Sequence, residues 1–283
     1  MAKVVFVLHG GRDGAVELAR ETSRWLRDCG HTVVLTPADA ELLGSPELAM
    51  SEEELAREAE VAVSFGGDGC MLRAVDLVAS RGVPVIGVNM GRLGYLTEVE
   101  PSGVRDALNR FFAGEHLLEE RMMLQVAITQ GEKTAVTHAL NEAVLERTPQ
   151  GHTVSLSVRI DGCAFTTYVA DALIVATPTG STAYSFSARG PIIAPTHACI
   201  LLTPVSPHML FDRSMILEPT SELEIGVAGD RPAALAVDGR VRYELGEGDT
   251  VVCTRSPFTA RLVTFAPRRF HEILKRKFGL ADR

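Results

Sequence analysis

Three short stretches of this chain carry residue types that can do chemistry. The first is Gly66-Gly67-Asp68-Gly69, which follows an apolar, β-prone run at residues 61–65 and precedes a run with helical periodicity at 70–80. A glycine-rich turn between strand and helix leaves backbone N–H groups bare for phosphate oxygens, because glycine turns tightly and lets a ligand approach the backbone. Gly66, Gly67 and Gly69 are therefore candidate phosphate-binding positions, and Asp68, the one acid in the turn, stands where a base is wanted. The spacing is neither G-x-x-x-x-G-K-[ST] nor G-x-G-x-x-G, so it is not a P-loop or a dinucleotide fingerprint. A plain strand-to-helix turn with a solvated acid would read the same way, since the helix dipole favours an acid there. The second stretch is Asn141-Glu142, two polar residues inside the apolar run 139–144. Strand neighbours face opposite ways, so one of the two points inward and needs a partner, either backbone at a bulge or a ligand. The third is Thr177-Pro178-Thr179-Gly180-Ser181-Thr182-Ala183-Tyr184. Its hydroxyls and aromatic ring suit the edge and face of a base, or else serve local amides and packing.

The elements that must hold these stretches fall into two patterns. Up to about residue 118, strands (4–8, 32–36, 61–65, 83–88) alternate with helices (15–29, 51–59, 70–80, 104–112), and Ser51 to Glu54 forms a capping box. Near-continuous apolar strands in such alternation predict a parallel sheet covered by helices, an α/β, Rossmann-like domain. Ligands of such sheets sit beyond the carboxyl ends of the strands, where Asp68 and the Asn89-Met90-Gly91 turn fall. From Glu119 onward the runs are short, β-branched and alternating. Asp161-Gly162 and Asp238-Gly239 are hairpin signals, joining 153–160 to 163–169 and 233–237 to 241–245. Further strands are expected at 172–177, 200–203, 221–227 and 250–254. The expectation is a mostly antiparallel, β-sandwich-like domain over 119–262, after an α/β domain over 1–118. The basic tail, 263–283, is expected to be helical over 267–278 and to pack back on the first domain.

Composition bounds the rest. The chain has 283 residues, 46% of them hydrophobic, and a formal net charge of −8. That charge argues against a broad nucleic-acid-binding face. The five cysteines are far apart and form no C-x-x-C, so no zinc cage or disulfide framework is expected. The sequence starts directly with a strand and has no apolar run of membrane-spanning length, so a cytoplasmic protein without membrane contact is expected.

The order of Gly-Gly-Asp-Gly, then Asn-Glu, then Asp171 followed by Thr-Pro-Thr-Gly-Ser-Thr-Ala-Tyr, resembles the NAD kinase family over nearly the whole chain. Residues 175–191 are its most specific part. The resemblance implies transfer of a phosphoryl group from ATP or polyphosphate to the 2′-hydroxyl of the adenosine ribose of NAD, with Mg²⁺ carried by ATP and no metal held by the protein itself. It implies a homodimer or homotetramer. It gives Asp68 the role of general base and places Asp68, Gly69, Arg73, Asn141, Glu142, His152, Asp171, Thr179, Thr182, Ala183, Tyr184, Ser187 and Arg240 around NAD. Within that set, Thr179, Thr182, Ala183 and Tyr184 look like the adenine end and Asp171 the nicotinamide end. For Arg73 and His152, an exposed helix arginine and a loop histidine fit the sequence equally well. Three positions depart from the family pattern: Cys70 stands where Thr is usual, Val169 where a basic residue is often found, and Arg189 where Gly is often found. Lipid kinases and phosphofructokinases share the glycine turn but not the Thr-Gly-Ser-Thr-Ala-Tyr loop. A non-catalytic NAD-binding regulator would have no need of Asp68.

Overall fold

The computed structural model describes residues 1–11, 13–91, 94–148 and 152–280. The chain divides into two compact units, Met1–Glu120 with Thr259–Arg283, and Arg121–Phe258.

The first unit contains β1 (Lys3–Leu8), α1 (Asp13–Asp28), β2 (Thr32–Leu35), α2 (Pro37–Leu43), α3 (Glu52–Glu58), β3 (Val61–Gly66), α4 (Asp68–Val78), β4 (Val85–Asn89) and α5 (Val104–Phe112). The strands pair in parallel in the order β2-β1-β3-β4, with Leu8 opposite Phe65 and Gly66 opposite Asn89. Every residue of β3 and β4 is buried, as a sheet covered on both faces demands. Phe65 packs in a cluster with Ala19 and Leu26 of α1 and Leu108 of α5. Its neighbour Ser64 faces the other way and donates its hydroxyl to Met71 Sδ of α4 at 3.4 Å. The N-cap half of the expected capping box is present: Ser51 Oγ accepts the N–H of Glu54, and the Glu54 carboxylate reaches back to the Ser51 hydroxyl, at 2.7 Å, in place of its N–H. α2 is not among the expected helices, although its end residues suit a helix. Thr36 caps it by accepting the N–H of Asp39, Pro37 occupies its first turn, and Gly44 ends it at φ 72°.

The second unit contains most of β5 (Leu117–Gln130), then β6 (Lys133–Ala139), β7 (Glu142–Arg147), β8 (Val154–Ile160), β9 (Cys163–Ala170), β10 (Ala172–Ala176), α6 (Tyr184–Ser187), β11 (Ile200–Val205), β12 (Met215–Leu217), β13 (Leu223–Val227), β14 (Ala233–Val237), β15 (Arg240–Leu245) and the first part of β16 (Thr250–Thr264). One antiparallel sheet runs β12-β11-β10-β7-β14-β15. Facing it are the antiparallel partners β16-β13-β8-β9 and the β5–β6 hairpin. Leu145, Leu173 and Val175 of the first sheet share one core with Leu156, Tyr168, Ile225 and Val251 of the second. This is the packing of a sandwich. Both expected Asp-Gly turns are present, with Asp161 and Gly162 at φ 51° and 76° and Asp238 and Gly239 at φ 48° and 75°.

Several boundaries differ from expectation, two of them by three residues or more. The strand expected to stop at 254 continues to Thr264 through Pro257. Proline reads as a stop because it donates no ladder bond, and here Ser256 Oγ takes up the next N–H, that of Phe258. The tail forms α7 (Phe270–Phe278), three residues shorter at its start than expected, and closes at Gly279, φ 59°. Among the described residues no helix is long and apolar enough to cross a membrane.

Candidate functional site

In the first unit, the helix expected at 70–80 begins two residues earlier, so Asp68 is the first residue of α4. Gly67 precedes it in extended conformation, and its carbonyl accepts the N–H groups of Cys70 and Met71. Ahead of these, the N–H groups of Gly67, Asp68 and Gly69 are ones that helix geometry leaves without an intrahelical partner. A side chain on Gly67 or Gly69 would meet nothing within 4 Å, so both present bare backbone. They border a cleft of about 490 Å³ that is also lined by His9, Gly10, Asp68, Cys70 and Arg73. Gly66 is glycine for another reason: a Cβ there would lie 2.6 Å from Cys70 Cβ. Cys70 itself is buried, with Sγ directed at the carbonyls of Val7 and Phe65.

Asp68 is held from the loop after β4. Its Oδ2 accepts the N–H of Tyr95 at 2.8 Å and its Oδ1 that of Leu96 at 3.0 Å. These bonds orient the carboxylate and leave it further lone pairs for an incoming hydroxyl. Gly94 makes this possible, because a Cβ there would stand 2.2 Å from Asp68 Oδ1. Nothing in the sequence marks Gly94, Tyr95 and Leu96 for this task, since backbone donors carry no side-chain signature.

Arg73 reaches the same cleft, but its guanidinium is directed elsewhere. Its NH2 donates to both oxygens of Asp39, at 3.1 and 3.0 Å, and its NH1 to the carbonyl of Leu8 at 2.8 Å. Asp39 is fully buried and also takes the Thr36 hydroxyl and the Leu8 N–H. A buried carboxylate without a cation would be costly, so this pair ties α4 to the end of β1.

In the second unit, Asp238 organises the Asn-Glu stretch. From its left-handed turn position it accepts the N–H groups of Leu140, Asn141 and Glu142 at 2.8, 2.8 and 3.1 Å. The other side of the same backbone is held by Thr177, whose hydroxyl donates to Leu140 O at 2.6 Å and whose N–H donates to Asn141 O. Gly180 packs against Asn141, where any Cβ would fall 2.1 Å from its carbonyl oxygen. The Asn-Glu stretch and the Thr-Gly-Ser-Thr loop are thus one structure. Of the two polar neighbours, Glu142 is the buried one and Asn141 is half-buried. Burial pushes the Glu142 carboxyl up to about 8, Asp238 adds to this, and the Tyr184 N–H partly offsets it. Glu142 is therefore mainly protonated at neutral pH and can donate as well as accept. Its Oε2 has no hydrogen-bond partner among the described residues.

The remaining residues of the set scatter around this centre. Thr179 is buried and accepts from Arg121 at 3.2 Å, and Thr182 donates back to Thr179 O at 3.3 Å. Ala183 leads into Tyr184, the first residue of α6, whose ring is exposed. Tyr184 and Asp171 line a cleft of about 600 Å³ with Tyr243, Glu146 and Arg147. Asp171 pairs there with Arg147 at 3.0 Å. His152, Ser187 and Arg240 are exposed, Val169 is borderline exposed, and none of them lines that cleft. Arg189 adopts φ 65°, a conformation that favours glycine, which is a physical reason for glycine to suit this position.

Residues 4–116 match the family described as ATP-NAD kinase N-terminal domain, and residues 140–265 match ATP-NAD kinase C-terminal domain. The chain is 41% identical over 281 residues to an NAD kinase of Symbiobacterium thermophilum, covering 99% of each chain. It is 38% identical over 262 residues to one of Moorella thermoacetica, covering 92% of this chain and 84% of that one. Among solved structures it superposes on yeast NADH kinase complexed with NADH with TM-score 0.91 and 25% identity, covering 100% of this chain and 89% of that one. An NAD kinase from Archaeoglobus fulgidus in complex with ATP gives TM-score 0.72 and 25% identity, covering 98% and 97%.

Proposed function

Because the chain belongs to the NAD kinase family, we propose that it transfers the terminal phosphoryl group of ATP to the 2′-hydroxyl of the adenosine ribose of NAD, with Asp68 as the general base. The observation that carries the role of Asp68 is its carboxylate, fixed by two backbone N–H groups beside the bare glycine backbone of a helix N-terminus. Phosphoryl transfer asks mainly for positioning and charge stabilisation. The Asp68 carboxylate accepts the proton of the 2′-hydroxyl as its oxygen bonds to the terminal phosphorus. The bond from that phosphorus to the bridging oxygen breaks, ADP leaves, and the proton passes from Asp68 to water. Gly67 and Gly69 N–H groups, at the positive end of α4, hold phosphate oxygens.

We assign the second-unit residues to NAD. Asn141 offers both a donor and an acceptor, protonated Glu142 offers a donor, and the Tyr184 face stacks on a base. Asp171 and the hydroxyls of Thr179 and Thr182 complete this assignment, with Ala183, Ser187, His152 and Arg240 at its margin. Arg73 serves it indirectly, by fixing α4 through Asp39. Among the described residues no group of three or more His, Cys, Asp or Glu could hold a metal ion. We treat the divalent cation as part of the ATP substrate, where it neutralises phosphate charge. Polyphosphate as an alternative donor, a homo-oligomeric state and a cytoplasmic location belong to the same reading. The five cysteines are all free thiols, in keeping with a reducing compartment.

The test is an assay of NADP formation from NAD with Mg²⁺ and, in turn, ATP, other nucleoside triphosphates and polyphosphate. NADP formed with ATP supports the proposal. No NADP with any donor contradicts it.

A further inference from the structure

The two N–H groups that hold Asp68 are themselves braced from behind, within the first unit. Arg268, in the segment between β16 and α7, donates from NH2 to the carbonyl of Tyr95 at 3.0 Å and from NH1 to that of Leu96 at 3.5 Å. The Tyr95 carbonyl and the Leu96 N–H are opposite ends of one planar peptide group. That peptide therefore has the Arg268 guanidinium on one side and the Asp68 carboxylate on the other.

Further contacts aim Arg268 at this spot. Its side chain is only 8% exposed, and its Nε lies 3.7 Å from Glu98 Oε2. The other oxygen of Glu98 accepts the N–H of Phe265 at 3.2 Å, which ties the same segment to the same loop. Lys277 of α7 places its ammonium 3.9 Å from the centre of the Tyr95 ring. Three side chains thus hold residues 95–98 in the one conformation that directs two N–H groups at Asp68. An arginine fork suits the task because its planar donors can bind two neighbouring carbonyls at once. Hydrogen bonds in series also polarise one another, so a cation at the far end strengthens the N–H bond to the carboxylate.

We infer that Arg268 is a positioning residue for the phosphoryl-transfer step, acting on Asp68 through the Tyr95–Leu96 peptide. The inference rests on Asp68 being the base. It adds that the aim of the base is set from the C-terminal segment, about 200 residues further along the chain.

The test is a kinetic cycle on the full-length protein: Arg268→Met and Arg268→Lys, each made alone and together with Asp68→Asn. Arg268→Met should lower kcat by roughly 10–100-fold, with KM for NAD and for ATP changed by less than about threefold. Arg268→Lys keeps one of the two carbonyl bonds and should give an intermediate kcat. In the Asp68→Asn background neither change should move the residual rate by more than about twofold, because there is no base left to aim. Equal losses in both backgrounds, or a rise in KM with kcat kept, would overturn the inference and leave Arg268 a structural residue. If Arg268→Met does not fold, Arg268→Lys carries the same cycle, and the same outcomes support or overturn the inference. Failure of the premise looks different: Asp68→Asn would itself remain active. An inactive Asp68→Asn beside fully active Arg268 variants would reject this inference alone.

Discussion

The carboxylate of Asp238 accepts the backbone N–H of Asn141 at 2.8 Å, and by bonding both adjacent N–H groups as well it fixes the stretch assigned to NAD. Hydrogen bonds to a charged acceptor contribute roughly 1.5–3 kcal/mol each, and this turn position has φ 48°. Asp238→Ala should destabilise the protein by about 3 kcal/mol or more in urea titration. Asp238→Asn tolerates the backbone and keeps one acceptor, so it should fold and raise KM for NAD well above any change in KM for ATP. Asn141→Ala should show the same split. Equal effects on both substrates would make the stretch structural only.

Glu142 gives a pH signature. Its carboxyl stands near 8 when folded against 4.5 as an ordinary glutamate, because burial disfavours its charge. The neutral acid is favoured by the folded state, so its contribution is full below about 4.5 and is lost as pH rises through about 8. Glu142→Gln stays neutral throughout. Between pH 5 and 9 the variant should gain about 3–5 kcal/mol on the wild type, read by denaturant unfolding at several pH values. Parallel pH curves would show that Glu142 is not held neutral.

Much of this was legible in the sequence, and the losses have identifiable causes. The parallel sheet could be read because β3 and β4 are apolar but for Ser64 and Asn89, and the hairpins because Asp161-Gly162 and Asp238-Gly239 need left-handed backbone that few other pairs adopt. The long β16 was hidden by Pro257, which donates no ladder bond, while the N–H that follows it, that of Phe258, is accepted by Ser256 Oγ. Asp238 was read as a turn residue, while its carboxylate serves backbone almost 100 residues away, a pairing that no spacing rule reveals. The same holds for Asp39 with Arg73 and for Arg268 with Tyr95. Sequence pattern shows local conformation and face, whereas partners across the fold emerge only when the strands are in place.

The second unit carries apolar side chains in water. Leu210 is fully exposed, and Phe165 and Phe211, each about 40% exposed, meet edge to face at 5.9 Å. Such a patch suits a two-fold contact between copies. Light scattering on a size-exclusion column at micromolar concentration should give a dimer or tetramer. Leu210→Glu with Phe211→Glu should shift it toward the single chain. A wild-type mass near 30.5 kDa with full activity would contradict assembly.

In the proposed reaction Asp68 takes the proton from the 2′-hydroxyl of NAD. The most direct measurement is kcat for NADP formation from NAD and Mg-ATP by wild type and Asp68→Asn, with folding checked by thermal unfolding. General-base catalysis contributes roughly 10²–10⁴-fold, so the variant should fold normally and lose at least about 100-fold in kcat. A folded Asp68→Asn protein retaining more than about a tenth of wild-type kcat would contradict the account.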